Sequence, residues 1–214
     1  MTLVARLTLT LALVTLTGCQ SAYYAAWEKL GVEKRDLLID QVEDAQEAQE
    51  DGKVQFTNAL EQFRLVAAFD GGDLEAYYEE LRGELEASQS AANKISSRID
   101  DVETVAEDLF AEWREELKLY NSENLRRDSA AKLADTQKRY QRLITAMHKA
   151  EASTAPVLTA LSDNVLYLKH NLNARAISSL QGELNTVNSD VQRLLTNMQA
   201  AIDQSNAFIA ELNR

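Results

Sequence analysis

Apolar residues spaced alternately four and three apart run along most of this chain, and that spacing leaves few folds open. The first seam is Leu38, Val42, Ala45, Gln49, Gly52, Phe56, Ala59, Phe63 and Val66. A 3.5-residue period puts all nine on one stripe of an α-helix and leaves Glu43, Asp44, Glu47, Glu50 and Asp51 off it. A second seam runs Leu81, Leu85, Ser88, Ala92, Ile95, Ile99, Val102, Ala106, Leu109 and Trp113. A third holds Leu133, Thr136, Tyr140, Leu143, Met147 and Ala150, and resumes as Val157, Leu161, Val165, Leu168 and Leu172. The last is Leu180, Leu184, Val187, Val191, Leu194, Met198, Ala201, Ser205, Phe208 and Leu212. One proline and seven glycines in 214 residues leave little to interrupt helix.

The breaks between seams are short. Asp70-Gly71-Gly72-Asp73 reads as a turn, with glycines free to take positive φ and Asp73 able to cap the next helix. The second helix then runs from about Leu74 to Leu119, on the order of 65–70 Å. Tyr120 to Asn124 interrupts the pattern, and Asn121 or Ser122 is the expected cap of the third helix. Pro156 either kinks that helix or begins a fourth, and the resumed seam favours a kink with little change of direction. Asn171 to Ala174 is a weaker turn. The expected fold is all-α: an elongated antiparallel bundle or coiled coil of about four long helices.

The N-terminus carries a different signal. Arg6 precedes a run, Leu7 to Leu16, that is apolar apart from Thr8, Thr10 and Thr15. That run is far short of the ~20 residues a bilayer span needs. Leu16, Thr17, Gly18 and Cys19 then resemble a lipobox, in which the cysteine thiol takes a diacylglycerol, the chain is cut before it, and the new amine is acylated, typically with palmitate. The expected organisation is a cleaved signal peptide at 1–18, a lipidated juxtamembrane tether at 19–32 and a helical bundle at 33–214. Acyl chains contribute about 0.8 kcal/mol per buried CH₂, so membrane lipid is the expected partner of acylated Cys19. Gln20 stands where an aspartate would favour inner-membrane retention in Gram-negative cells, which points to the periplasmic face of the outer membrane. Tyr23, Tyr24 and Trp27 lie close to the anchor and suit either the membrane interface or the end of the bundle. Acylation would use the chain's one cysteine, leaving no thiol for a disulfide, a metal or a nucleophile.

Charge is uneven. The net charge is −12. Residues 33–119 hold 24 acids and 9 bases, whereas 120–214 hold 9 acids and 11 bases. An acidic chain, of pI about 4.7, is a poor nucleic-acid binder, because phosphate contacts need clustered Lys and Arg, and no nucleic acid is expected as a partner. Arg126, Arg127, Lys132, Lys138, Arg139, Arg142 and Lys149 face only Asp128 and Asp135. The plain reading is a basic helix paired with an acidic neighbour; the sharper one is a docking surface for an anionic partner.

No catalytic motif stands out. His148 and Glu151 share a helical face at i, i+3, and His170 sits at an expected helix end, where its charge would complement the dipole. Neither histidine falls in a metal-binding spacing, so no metal, cofactor or catalytic residue is expected. Trp113, Tyr120 and Tyr140 could line a space between helices or belong to the core.

Two stretches carry a resemblance to a known family. They are Tyr23-Tyr24 with Trp27 to Asp36 and Gln41 to Ala45, and Leu166 to Ala174 with Ile177 and Leu180 to Leu184. They resemble the bacterial lipoprotein family catalogued as domain of unknown function 2959. The resemblance implies a helical, lipid-anchored body and brings no site residues. The expected role is a structural or adaptor protein of the cell envelope, not an enzyme, engaging an envelope protein partner or forming a homo-oligomer. The alternative is a helical module for a hydrophobic or cell-wall-derived ligand, held where Gln49, Gly52, Ser88 and Thr136 leave gaps in the seams.

Overall fold

The computed structural model describes residues 34–213. Its helices, in order, are α1 Lys34–Ala67, α2 Leu74–Glu116, α3 Glu123–Ala152, α4 Thr154–His170 and α5 Ala174–Leu212. At 1.5 Å per residue, α2 alone is about 65 Å long. The expected cleaved segment, the lipobox Leu16, Thr17 and Gly18, Cys19, and Tyr23, Tyr24 and Trp27 all lie outside the described residues.

The helices stop and start for local reasons. Gly71 and Gly72 have φ of +155° and +109°, which lets the chain reverse after α1. Asp73 then accepts from the Glu75 and Ala76 amides at 3.1 and 3.3 Å, and Phe69 meets Tyr77 edge-on across the turn with centroids 5.4 Å apart. Asp73→Ala removes the partner of two first-turn amides and should cost about 1 kcal/mol, read as a lower urea midpoint at unchanged m-value. Ser122, one of the two expected caps, accepts from the Leu125 amide at 3.4 Å. Asn173 caps α5 by accepting from Arg175 and Ala176 at 3.0 and 3.2 Å. At the far end of α1, Gln181 of α5 donates its side-chain amide to the Ala67 carbonyl at 2.9 Å.

Around Pro156 the split and the continuity both hold. Ser153 alone separates α3 from α4. The Ser153 hydroxyl donates to Ala150 O and the Thr154 hydroxyl to Glu151 O, each at 2.7 Å, which satisfies carbonyls at the joint. Pro156 falls in the first turn of α4, where its missing N–H leaves no bond broken. Both α3 and α4 pack against α2 and α5, so together they form one side of the bundle. The order around the axis is α1, α2, α3–α4 and α5, with α5 closing back onto α1.

The seams fill the interior. All nine residues of the first seam are buried, as are Leu133, Leu143, Met147 and Ala150 of the third. The α2 seam drifts near its end: Phe110 is buried, while Leu109 and Trp113 are half-buried. Leu172 lies beyond the end of α4 and is 41% exposed. The second helix ends at Glu116, a turn short of the expected Leu119. Gly52 is no gap: a Cβ there would stand 2.8 Å from Ile95 Cδ1 and 3.2 Å from Met198 Cε, so three helices close on bare backbone.

Candidate functional site

The basic helix does not mainly pair with its acidic neighbour. Arg126 pairs with Glu123, Lys132 with Asp128, and Arg139 with Asp135, all within α3. Among the described residues only Arg139 to Glu211 of α5, at 3.4 Å, and His148 to Glu103 of α2, at 3.0 Å, reach across. Lys138, Arg142 and Lys149 have no ion-pair partner among the described residues. They stand at i, i+4 and i+11, on the side of α3 opposite its buried stripe of Leu143, Met147 and Ala150.

These three cations rim a groove between α3 and α5 of about 710 Å³, floored by Ala146, Ala200 and aliphatic stems and flanked by Asn197 and Gln204. Among the described residues no carboxylate lines it. Toward the start of α1 it continues past Arg142 and Gln204 to Arg139, Phe208 and Glu211, and then into a cavity of about 550 Å³ under Leu109, Trp113 and Leu212. Trp113 is fixed there by donating its indole N–H to Ser129 Oγ at 2.8 Å. From Lys132 to Lys149 this trough covers about 25 Å of α3. Arg35, on the first turn of α1, lines its end, so the trough ends at the level where α1 starts.

Of the three aromatics, Trp113 lines this end cavity and Tyr120 is 41% exposed in the turn after α2. Tyr140 belongs to a core cluster, 5.4 Å from Phe110 and 6.4 Å from Phe208 between ring centroids. Burial, with the charges of Glu103 and Glu107, holds the Tyr140 phenol well above its ordinary range, so it stays neutral.

His148 is held by two helices. Its Nε2 lies 3.0 Å from Glu103 Oε1 and its Nδ1 3.0 Å from Glu151 Oε2. The contacts to Glu103 and Glu151 raise its pKa above the ordinary 6.5. The two carboxylates hold opposite ring nitrogens and do not converge on one point, and among the described residues no group of three or more His, Cys, Asp or Glu could share a metal. Because the folded pKa is raised, the stabilisation is fully present below pH 6.5 and is lost as pH rises through the folded value. Wild type should therefore lose a small increment, at most about 1 kcal/mol for so exposed a pair, over that window. His148→Gln should show no such loss in urea titrations at stepped pH. His170 lies in the last turn of α4 as expected.

The family model described as Protein of unknown function (DUF2959) matches residues 23–212. The chain belongs to this family. Both stretches that carry the resemblance, from Tyr23 and from Leu166, fall within the match, which covers all the helices from α1 to α5. The residues that line the trough lie within the match. A comparison with curated proteins finds none that matches. Among the described residues no helix is long and apolar enough to cross a membrane.

Proposed function

We propose that this family member is a lipid-anchored periplasmic coiled-coil protein with a structural or adaptor role in the cell envelope. It is held through acylated Cys19 and works through its outer faces, not through catalysis. One observation carries this reading. The helical seams are spent inside a single chain, while three unpaired cations in an acidic protein line an apolar-floored trough on its outside. Cations left without partners beside apolar surface favour an anionic, partly apolar partner. What supports a non-catalytic body is the state of its titratable groups: His148 is clasped on an exposed face, and the carboxylates around it are occupied in holding it.

The test is crosslinking in intact cells with and without Lys138→Glu/Arg142→Glu/Lys149→Glu. These are surface positions, so helicity should be unchanged. A defined crosslinked species present in wild type should disappear in the triple variant. An identical crosslink pattern in both contradicts the adaptor reading of this face.

The end cavity favours a second reading, a binding module. Leu109, Trp113, Phe208 and Leu212 surround a space large enough for an alkyl chain, with Arg139 and Lys132 at its rim. Native mass spectrometry of the chain expressed without residues 1–18, and so without covalent lipid on Cys19, should then show a retained hydrophobic adduct that Trp113→Ala loses. Protein of the bare chain mass removes this reading.

A further inference from the structure

We propose that the trough between α3 and α5 takes a second copy of this chain, standing parallel, with the outer face of its α1 laid against the three cations. Such a copy is the partner for the adaptor face, and the inference rests on the anchored reading given under Proposed function.

The chain carries the complementary surface itself. Asp36, Asp40 and Glu47 stand at i, i+4 and i+11 along α1, the same spacing as Lys138, Arg142 and Lys149 along α3. All three acids are exposed and lie opposite the buried stripe of Val42, Ala45, Gln49 and Gly52. Among the described residues Asp40 and Glu47 have no ion pair, and Asp36 reaches only its neighbour Arg35, at 3.4 Å. Glu43 and Glu50 sit on the same face and deepen its negative field.

The two faces cannot meet within one molecule. α1 packs against α2 and α5, and α3 packs against the same two helices, so α1 and α3 occupy opposite corners of the bundle. They run the same way, with the start of α1 level with residues 135–139 of α3. Arg35 shares the end cavity with Asp135 and Arg139, which sets the first turn of α1 beside that turn of α3. Two copies side by side at one height therefore bring Asp36 opposite Lys138, Asp40 opposite Arg142 and Glu47 opposite Lys149, over about 16 Å of helix.

One further level up the rod, Val54, 63% exposed on the same face of α1, stands opposite Pro156, which lines the next stretch of groove with Ala160 and Tyr167. Beyond that, Asp163 and Glu183 line the groove and would repel Glu61, so the contact ends there.

The geometry explains why an anchor matters. Exposed ion pairs contribute little singly, so copies free in solution should associate weakly and less so at high salt. Tethers entering beside α1 hold every copy at one height and one polarity and raise the effective concentration. Each copy offers one acidic ridge and one basic trough, so the contact is heterologous and can extend from copy to copy.

The experiment uses the full chain in cells. One tagged copy carries Glu47→Cys, a second, differently tagged copy carries Lys149→Cys, and the cells are treated with a short bismaleimide before fractionation. The expected product is the mixed 47–149 species, well above 47–47 and 149–149, with none from the wild-type chain. Adding Lys138→Glu/Arg142→Glu to the second copy should cut it roughly tenfold. Adding Asp36→Lys/Asp40→Lys to the first copy should then restore it. Like-with-like products of equal yield, or a mixed product indifferent to charge reversal, overturn the proposal. Fractionation of the same cells separates the two readings. Membrane-bound protein without the mixed product overturns the lateral contact alone. The mixed product from soluble protein supports the contact and overturns the anchor. Soluble protein without it overturns both.

Discussion

Gly52→Leu is expected to destabilise the bundle by about 3 kcal/mol or more, at the upper end of overpacking costs. At this level α1, α2 and α5 meet over the bare Gly52 backbone, with Ile95 Cδ1 and Met198 Cε already within van der Waals reach of an added Cβ. A leucine needs space for three more carbons, and the flanking positions are filled, since Ile95 is 1% and Met198 0% exposed. It must therefore push α1 off both neighbours. Gly52→Ala should behave differently. Its methyl displaces only the ends of two flexible side chains, and alanine regains about 1 kcal/mol of helix propensity, so the net change should stay within about 1 kcal/mol. Urea unfolding of the two variants separates close packing from a void: a leucine accommodated without loss would mean that the seam has room for a ligand after all.

Gln49→Leu should act in the opposite direction, raising stability by about 1–3 kcal/mol. Gln49 is 1% exposed, and among the described residues neither its amide nitrogen nor its carbonyl oxygen has a hydrogen-bond partner. An amide desolvated without a partner costs about 1–3 kcal/mol by mutational comparison, and leucine fills a similar volume with no such cost. The readout is a higher urea midpoint at unchanged slope, with the fold intact by circular dichroism. A loss of stability would show that the amide is bonded in solution. The same variant addresses specificity. One polar residue in an apolar seam fixes register in coiled coils, so the leucine variant should gain stability and tolerate slippage of α1, visible as faster amide exchange at its ends.

Most of the fold was legible because heptad spacing is a local property that tertiary packing then uses unchanged. The first seam is buried in full, and the turns at Asp70–Asp73 and Ser122 were marked by glycine and capping chemistry that acts within four residues. The misses lie where a long-range quantity enters. An α-helix drifts by about 20° per heptad against a 3.5 repeat, and over α2 that drift turns Phe110 inward and leaves Leu109 and Trp113 at the edge. Gly52 looked like a gap because sequence does not show how closely two neighbours approach it.

The trough was half legible. The cations of α3 were plain in the sequence, and so was the sorting rule. Arg126, Lys132 and Arg139 each have an acid three or four residues back, whereas Arg142 and Lys149 have none on either side, and Asp135 bonds Arg139 in preference to Lys138. What sequence did not show is the level of α3 against α1 and α5. That offset sets which faces form a groove and which acids stand at the matching height on the opposite corner.

The intact mass of the protein extracted from membranes decides the matter on which the functional reading stands. It should correspond to a chain beginning at Cys19 with a diacylglycerol and a further acyl group attached, and Cys19→Ser should move the protein out of the membrane fraction. A mature form that begins elsewhere, an unmodified Cys19 thiol, or a serine variant that still sediments with membranes would contradict it.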